Sequence, residues 1–223
     1  MDLSANSADA IRKGLEIMMN NIKWVFFDIG STLVDESVAY RNRIVRTIAN
    51  TDISYDEFYQ RMVEISKRDQ NAFNKAVKFY GLTKAPWNSN DEFAYPEAEN
   101  CLSELGKHYK IGIIANQESG SEQRLAKLGL LKYIDLVIAS AEEGISKPDL
   151  RIFQIALDRA NCKPEEAVMV GDRLDNDIIP ANKNGMITVW IKQGFGGLSE
   201  PKKSIEQPDY TIINLNELLK LLV

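Results

Sequence analysis

Six short apolar runs along the chain predict buried β-strands. They are rich in Val, Ile, Phe and Trp and nearly continuous, a pattern typical of parallel strands covered on both faces. The runs are residues 24–28, 111–116, 135–140, 167–172, 187–191 and 210–213. Between them, apolar residues recur at helical spacing, most clearly in 121–128 and 149–160. Alternating strands and helices predict an α/β fold with a doubly wound, Rossmann-like parallel sheet.

The segment between the first two strand runs has a different pattern. Residues 36–95 contain helical patterns and no good strand run. Ser54 and Glu57 have the spacing of a capping box, and Phe58 follows as the first apolar residue of a helical stripe. An insertion of this length predicts a helical cap domain.

The predicted domain division follows from this insertion. Residues 19–35 and 96–223 would form the α/β core domain, and residues 36–95 the helical cap domain. Residues 1–18 form an N-terminal extension to which the sequence assigns no role.

Composition narrows the class of protein. The 223 residues are 44% hydrophobic with a net charge of −5, which argues against a nucleic-acid or anionic-membrane surface. No apolar run approaches the roughly 18 residues of a membrane-spanning helix. The two cysteines, Cys101 and Cys162, indicate a reduced chain without a disulfide framework, and we expect a cytoplasmic protein.

Charged residues at strand ends are the candidate chemistry. Asp28 and Asp172 end two strand runs, Asp177 follows five residues after the second, and Lys147 precedes Pro148 at a predicted helix start. In open parallel sheets, ligands bind outside the carboxyl ends of the strands. Aspartates that meet there repel each other unless a cation lies between them, and oxygen ligands suit Mg²⁺.

Four motifs carry a resemblance to a known family. They are DIGST at 28–32, IIANQ at 113–117, SKPD at 146–149 and GDRLDND at 171–177. With these motifs the chain resembles the haloacid dehalogenase superfamily of phosphohydrolases, in the branch with a helical cap inserted after the first strand. The resemblance extends from about residue 22 to residue 215.

The resemblance implies a role for each motif residue. Asp28 would be the nucleophile that forms an aspartyl-phosphate, and Lys147 would hold Asp28 and the phosphate. Asp28, Asp172 and the backbone carbonyl of Gly30 would bind Mg²⁺, and Asp177 would support the waters of the metal. The substrate would be a small phosphorylated metabolite. The phosphate-binding positions would be Ser31, Thr32, Ala115, Asn116 and Lys147.

The chain departs from the phosphatase pattern D-x-D-x-T at two positions. Gly30 replaces the second Asp, which protonates the leaving group and then activates water, and a positioned acid or base is worth about 10²–10⁴-fold in rate. Ala115 replaces a Ser or Thr that binds phosphate, and Asn116 is the candidate to take over part of that role.

Two interpretations follow from these departures. In the first, the protein is a phosphatase that favours good leaving groups such as acyl phosphates. In the second, it is a catalytically impaired member that binds a phosphorylated ligand without efficient turnover. A phosphonatase-like enzyme would need a Schiff-base lysine from the cap, for which Lys67, Lys75 and Lys78 are the candidates.

More distant alternatives fit the sequence less well. A dehalogenase dispenses with Mg²⁺, whereas residues 171–177 keep the metal carboxylates. A phosphoacceptor receiver domain is shorter and has no helical insert. A dinucleotide-binding module would need glycines after the first strand, but the only glycine cluster, at 194–197, follows the fifth strand run, and we interpret it as a flexible loop. Asp35 and Glu36, just past Asp28, are candidates for contact with substrate, but we favour their interpretation as a solvated hinge into the cap.

Overall fold

A computed structural model describes residues 21–68 and 71–223 of the chain. The strands are β1 Trp24–Phe27, β2 Val34–Asp35, β3 Phe93–Ala94, β4 Lys110–Ala115, β5 Leu136–Ala139, β6 Ala167–Gly171, β7 Ile187–Ile191 and β8 Tyr210–Ile212. The helices are α1 Ser37–Ile48, α2 Tyr55–Ser66, α3 Ala72–Phe79, α4 Ala98–Leu105, α5 Ser121–Lys127, α6 Ser140–Glu143, α7 Leu150–Ala160, α8 Ile179–Asn184 and α9 Leu215–Leu222. None of these helices is both long and apolar enough to cross a membrane.

The main sheet confirms the predicted fold class. Its six strands lie in the order β5-β4-β1-β6-β7-β8, and every neighbouring pair is parallel. These six strands coincide with the six predicted apolar runs. The chain adds β4 and β5 on one side of β1 and then β6, β7 and β8 on the other. β1 is therefore the point at which the strand order reverses.

Both faces of the sheet are covered, as the continuous apolar runs predict. In β1, Val25 and Phe27 belong to one buried apolar cluster, which also contains residues of α4 and α9. Phe26, between them, belongs to a second cluster with Phe153 of α7. Successive side chains of a strand point to opposite faces, so β1 contributes to both layers of the core.

Helices α1, α2 and α3 form a third buried cluster of their own, which includes Ile44, Phe58 and Phe73. Ser54 begins α2 as predicted, since its side chain accepts a hydrogen bond from the Glu57 N–H at 3.1 Å. The assignment of 36–95 as a separate cap domain stays a prediction, and the N-terminal extension lies outside the described residues.

A two-stranded pairing closes the base of the helical insert and was not predicted. Val34 of β2 pairs with Ala94 of β3, and Asp35 pairs with Phe93, in antiparallel register. The expectation that the insert contains no strand is therefore wrong at β3. A strand of two residues is too short for alternation to reveal, and only its pairing with the distant β2 makes it a strand.

Candidate active site

Two strand ends bring the candidate carboxylates to one edge of the sheet. β1 ends at Phe27 and β6 ends at Gly171, so Asp28 and Asp172 directly follow neighbouring strands. This edge is the topological switch point, where ligands bind in open parallel sheets. One carboxylate oxygen from each of Asp28, Asp172 and Asp177 lies within 4.8 Å of the others.

The ammonium group of Lys147 lies among these carboxylates. Its side chain is 2% exposed, and Nζ donates to Asp28 Oδ1 and Asp177 Oδ1 at 2.6 Å each and to the Ile114 carbonyl at 2.8 Å. Burial alone would lower the pKa of Lys147, but the charges of Asp177 and Asp28 outweigh it and raise that pKa above its ordinary value. Lys147 is therefore charged at neutral pH and fixes the orientation of Asp28.

Asn116 holds the backbone of Lys147 in place. Its Nδ2 donates to the Lys147 carbonyl at 2.8 Å, and its Oδ1 accepts from the Lys147 N–H at 2.7 Å. Ala115, the last residue of β4, is fully buried. The phosphate-binding roles of Ala115 and Asn116 stay predictions, and Asn116 has in addition a positioning role that the sequence did not reveal.

The turn after β1 gives the side chains of Ser31 and Thr32 different surroundings. Ser31 has a left-handed backbone (φ 54°), and its N–H donates to the Val34 carbonyl at 2.8 Å within the turn. Its hydroxyl donates to Glu36 Oε2 at 3.2 Å. Thr32 is fully buried, and within the described residues its Oγ1 has no hydrogen-bond partner. Ser31 thus lines the cavity described below, and Thr32 is not among the residues that line it.

The electrostatics of the cluster fit a divalent cation. Burial raises the pKa of Asp172 well above its ordinary value, and the charges of Asp177 and Asp28 raise it further. Three carboxylates against the one ammonium of Lys147 leave two negative charges when all four groups are ionised. An all-oxygen set of this charge suits Mg²⁺.

Asp177 is already occupied by other partners. One of its oxygens accepts from Lys147, and the other accepts from the Arg173 N–H at 3.0 Å. A π-helical turn, Leu174–Ile178, returns it to the strand end, where it packs against Gly171 so closely that a Cβ there would overlap its carboxylate. Both carboxylate oxygens of Asp177 therefore accept hydrogen bonds from within the protein.

Glu36 is the residue that sequence analysis placed wrongly. The predicted solvated hinge is instead a side chain only 16% exposed, whose Oε1 lies 3.9 Å from Arg124 Nη2. Burial, together with the charge of Asp28, raises the pKa of Glu36 to about 7, and the opposing charge of Arg124 offsets this only in part. The signal that points to Glu36 is Gly30, whose missing side chain leaves room for another carboxylate.

The glycine cluster at 194–197, interpreted from sequence as a flexible loop, packs against the same site. A Cβ on Gly196 would overlap the main chain and carboxylate of Asp172, and Gly194 (φ +54°) approaches the Ser31 side chain in the same way. Only glycine permits this approach. The segment is therefore a wall of the site.

A cavity of about 210 Å³ lies at the centre of these groups. Its lining includes Asp28, Gly30, Ser31, Glu36 and Asp172. Two larger cavities, of about 700 and 730 Å³, adjoin it and share Glu36 with it. The carboxylates are thus within reach of a small ligand, and Glu36 lies where the three spaces meet.

Comparison with known proteins identifies the family to which this chain is similar. A family model described as haloacid dehalogenase-like hydrolase matches residues 22–185. The glyceraldehyde 3-phosphate phosphatase of Pyrococcus furiosus is 35% identical over 92% of this chain and 94% of its own length. The glyceraldehyde 3-phosphate phosphatase of Methanopyrus kandleri is 33% identical over 89% of this chain and 96% of its own length.

A solved structure supports the same family as these two relatives. The crystal structure of a HAD phosphatase from Thermococcus onnurineus superposes with a TM-score of 0.61 at 29% identity, covering 90% of this chain and 98% of that one. The family match spans most of the chain, and it confirms the resemblance on which the site residues were chosen. The chain therefore belongs to the haloacid dehalogenase-like hydrolases, and its curated relatives place it with the phosphatases of that family.

Proposed function

We propose that this chain is a Mg²⁺-dependent phosphohydrolase that acts on a small phosphorylated metabolite through an aspartyl-phosphate on Asp28. The observation that carries the proposal is the buried ammonium of Lys147, 2.6 Å from both Asp28 and Asp177 and beside the cavity that Asp172 lines. Phosphoryl transfer depends mainly on such positioning and charge stabilisation.

Asp28 is the proposed nucleophile. Its Oδ1 accepts the hydrogen bond from Lys147, which leaves Oδ2 to attack phosphorus. In the first step the new Asp28 O–P bond forms while the bond from phosphorus to the leaving oxygen breaks. In the second step water attacks phosphorus, and the Asp28 O–P bond breaks to release inorganic phosphate. Lys147 orients Asp28 throughout and lowers the repulsion between two anions.

The metal site is proposed at the same place. Asp28, Asp172 and the Gly30 carbonyl would hold Mg²⁺, with Asp177 in a supporting position. When bound, the ion would neutralise charge between the phosphate and the acidic cluster. The oxygen-only donors and the two uncompensated negative charges of the cluster support this choice of metal.

The proposed phosphate-binding residues are Ser31, Thr32, Ala115, Asn116 and Lys147. The relatives support the class of substrate, since both are named for the three-carbon compound glyceraldehyde 3-phosphate, which is therefore the first substrate to test. They do not favour the alternative of a binding protein without efficient turnover. We propose that the helical insert selects the substrate and that the protein is cytoplasmic, in keeping with the free thiols of Cys101 and Cys162.

Replacing the nucleophile tests the proposal. With Mg²⁺ and glyceraldehyde 3-phosphate or p-nitrophenyl phosphate, we expect Asp28→Asn to abolish phosphate release and acid-stable labelling of the protein, because an amide does not attack phosphorus. Thermal unfolding would show that the variant is folded. Asp158→Asn, the same substitution at an exposed position of helix α7, is the control and should retain activity. Undiminished turnover by Asp28→Asn would refute the assignment.

A further inference from the structure

We propose that Glu36 carries out the proton transfers of this reaction, replacing the carboxylate that D-x-D phosphatases have at the position of Gly30. This inference rests on the proposed phosphatase function, and it adds a catalytic residue that no family motif assigns. It also explains how the chain would turn over substrates whose leaving groups need a proton.

The first observation is the space around Gly30. An ideal Cβ on Gly30 would lie 2.5 Å from Glu36 Oε1, 2.8 Å from Cδ and 2.9 Å from Oε2. The carboxylate of Glu36 therefore fills the volume that a side chain at position 30 would occupy. A glycine at 30 and a carboxylate reaching in from 36 are complementary.

The second observation is how the backbone brings Glu36 there. Gly30 forms a bridge with Val34, and β2 ends at Asp35, so that Glu36 is the residue from which α1 begins. The pairing of β2 with β3 fixes this segment at the base of the insert. Glu36 is thus held by rigid elements rather than by a free loop.

The third observation concerns the ionic partners of Glu36, which distinguish a catalytic role for this residue from a purely structural one. Arg124 is committed to Glu92, with Nε and Nη2 donating to its two carboxylate oxygens at 2.6 and 2.7 Å. Within the part of the chain that the structure describes, the Glu36 carboxylate lies 3.9 Å from the same guanidinium and accepts one hydrogen bond, from the Ser31 hydroxyl. Its carboxylate is therefore not part of a closed ion pair.

The fourth observation is access. Glu36 lines the 210 Å³ cavity together with Asp28, and it also lines both of the larger adjoining cavities. A phosphate ester with its phosphorus at Asp28 has its leaving oxygen within this space. Glu36 would then contact the leaving oxygen in the first step and the attacking water in the second.

The two steps balance through this carboxyl group. As Asp28 attacks and the bond from phosphorus to the leaving oxygen breaks, protonated Glu36 gives its proton to that oxygen, which leaves as an alcohol. The Glu36 carboxylate then takes a proton from water as the water oxygen bonds to phosphorus and the Asp28 O–P bond breaks. Inorganic phosphate leaves, and Glu36 is again protonated for the next substrate.

The test compares leaving groups in wild type and Glu36→Gln, with Mg²⁺ present. For an alkyl phosphate such as glyceraldehyde 3-phosphate, we expect kcat to fall by about 10²–10⁴-fold. For 2,4-dinitrophenyl phosphate, whose leaving group needs no proton, we expect a rapid burst of dinitrophenolate equal to the enzyme concentration, then slow release, because water activation is lost. Glu122→Gln, an identical change at an exposed carboxylate of α5, should match wild type.

A second variant keeps the proposal open to refutation if Glu36→Gln proves poorly folded. Gly30→Asp alone should be impaired, because the new side chain collides with Glu36. Gly30→Asp combined with Glu36→Ala should recover alkyl phosphate turnover to at least tenfold above Glu36→Ala alone. Absence of the dinitrophenolate burst in a folded Glu36→Gln, unchanged kcat for the alkyl phosphate, or no recovery in the double variant would overturn the role of Glu36.

The activities of wild type, Asp28→Asn and Glu36→Gln distinguish a wrong role for Glu36 from a wrong phosphatase assignment. If wild type itself yields neither product nor phosphorylated Asp28, the phosphatase assignment fails. If wild type turns over and Asp28→Asn does not, while Glu36→Gln behaves as wild type, only the role of Glu36 fails.

Discussion

The charges of individual buried carboxylates affect both the stability of this site and its affinity for a cation, and Asp172 is the clearest case. Its carboxylate is buried beside those of Asp28 and Asp177, and the ammonium of Lys147 compensates only one of the three charges. Burying charges that are not paired is costly. The arrangement is therefore unfavourable without a cation and favourable with one, which ties the stability of the fold to metal binding.

Removing the Asp172 charge should separate these two effects. Without Mg²⁺, we expect Asp172→Asn to unfold at a temperature equal to or higher than wild type, because repulsion is relieved. With Mg²⁺ at about 100 times its dissociation constant, wild type should gain about 2.7 kcal/mol of stability and the variant should gain none. Differential scanning fluorimetry with and without EDTA measures both. Asp175→Asn, at a more exposed carboxylate of the same turn, should keep the wild-type gain, and a full Mg²⁺ gain in Asp172→Asn would contradict the metal site.

At the level of strands, the close approach of β4 to β1 depends on one glycine. Gly112 lies opposite Phe26 in the parallel pair, and a Cβ on Gly112 would overlap the Phe26 ring. That ring is fully buried and stacks on Trp24 with centroids 5.4 Å apart, so it has little freedom to move. A glycine inside a strand marks such an approach. Since Asp28 directly follows β1, the packing of this pair also positions the proposed nucleophile.

Gly112→Ala should therefore destabilise the fold. Overpacking a filled core costs about 1–3 kcal/mol, and we expect a loss of that size in the free energy of unfolding, measured with urea. Gly112→Ala with Phe26→Leu should lose less than the sum of the two single variants, because the smaller side chain admits the methyl group. Gly106 is exposed and has a helical backbone, and an added methyl group would meet the carbonyls of Leu102 at 3.1 Å and Ser103 at 3.8 Å. Gly106→Ala should therefore change stability by less than about 0.5 kcal/mol. Strict additivity of the first pair would show that the ring is not the obstacle.

Across the whole molecule, the return segment from the helical insert is tied to the core by a buried ion pair. Glu92, whose side chain is fully buried, accepts two hydrogen bonds from Arg124 of α5 and another from the Trp87 indole. Arg124 also donates to Gln117, at the end of the β4 segment. A second link joins the insert and the core, since the Ser199 hydroxyl donates to the Ser66 carbonyl at 2.7 Å.

Breaking the ion pair between Glu92 and Arg124 should lower the free energy of unfolding substantially. Removing one partner of a buried ion pair leaves the other charge uncompensated, so we expect Arg124→Ala to lower the free energy of unfolding by about 3–5 kcal/mol. Arg124→Ala with Glu92→Gln should lose clearly less, because the orphaned charge is gone. Lys127→Ala lies on the same helix and contacts the same segment through Asn90, but it is exposed and should cost no more than about 1 kcal/mol. Equal losses for Arg124→Ala and Lys127→Ala would mean that the pair does not stabilise the fold.

Local pattern was sufficient for the strands of the main sheet and for the carboxylates that follow them. The apolar runs predicted all six strands of the main sheet, because strands buried on both faces are continuous in composition. Ser54 marked the start of a helix through its own side chain. Asp28 and Asp172 were predictable as neighbours because the ends of parallel strands meet at one edge.

The remaining features were decided only when distant segments came together. Glu36 fills the space at Gly30, Asn116 holds Lys147, and residues 194–197 pack against Asp172. The pairing of β2 with β3 joins residues separated by the whole insert. None of these contacts can be predicted from the periodicity of the sequence. A periodic pattern indicates which face of an element is buried, but not which other segment packs against that face. The sequence thus determined the sheet and the candidate residues Asp28 and Lys147, and tertiary packing decided which further carboxylate lies next to them.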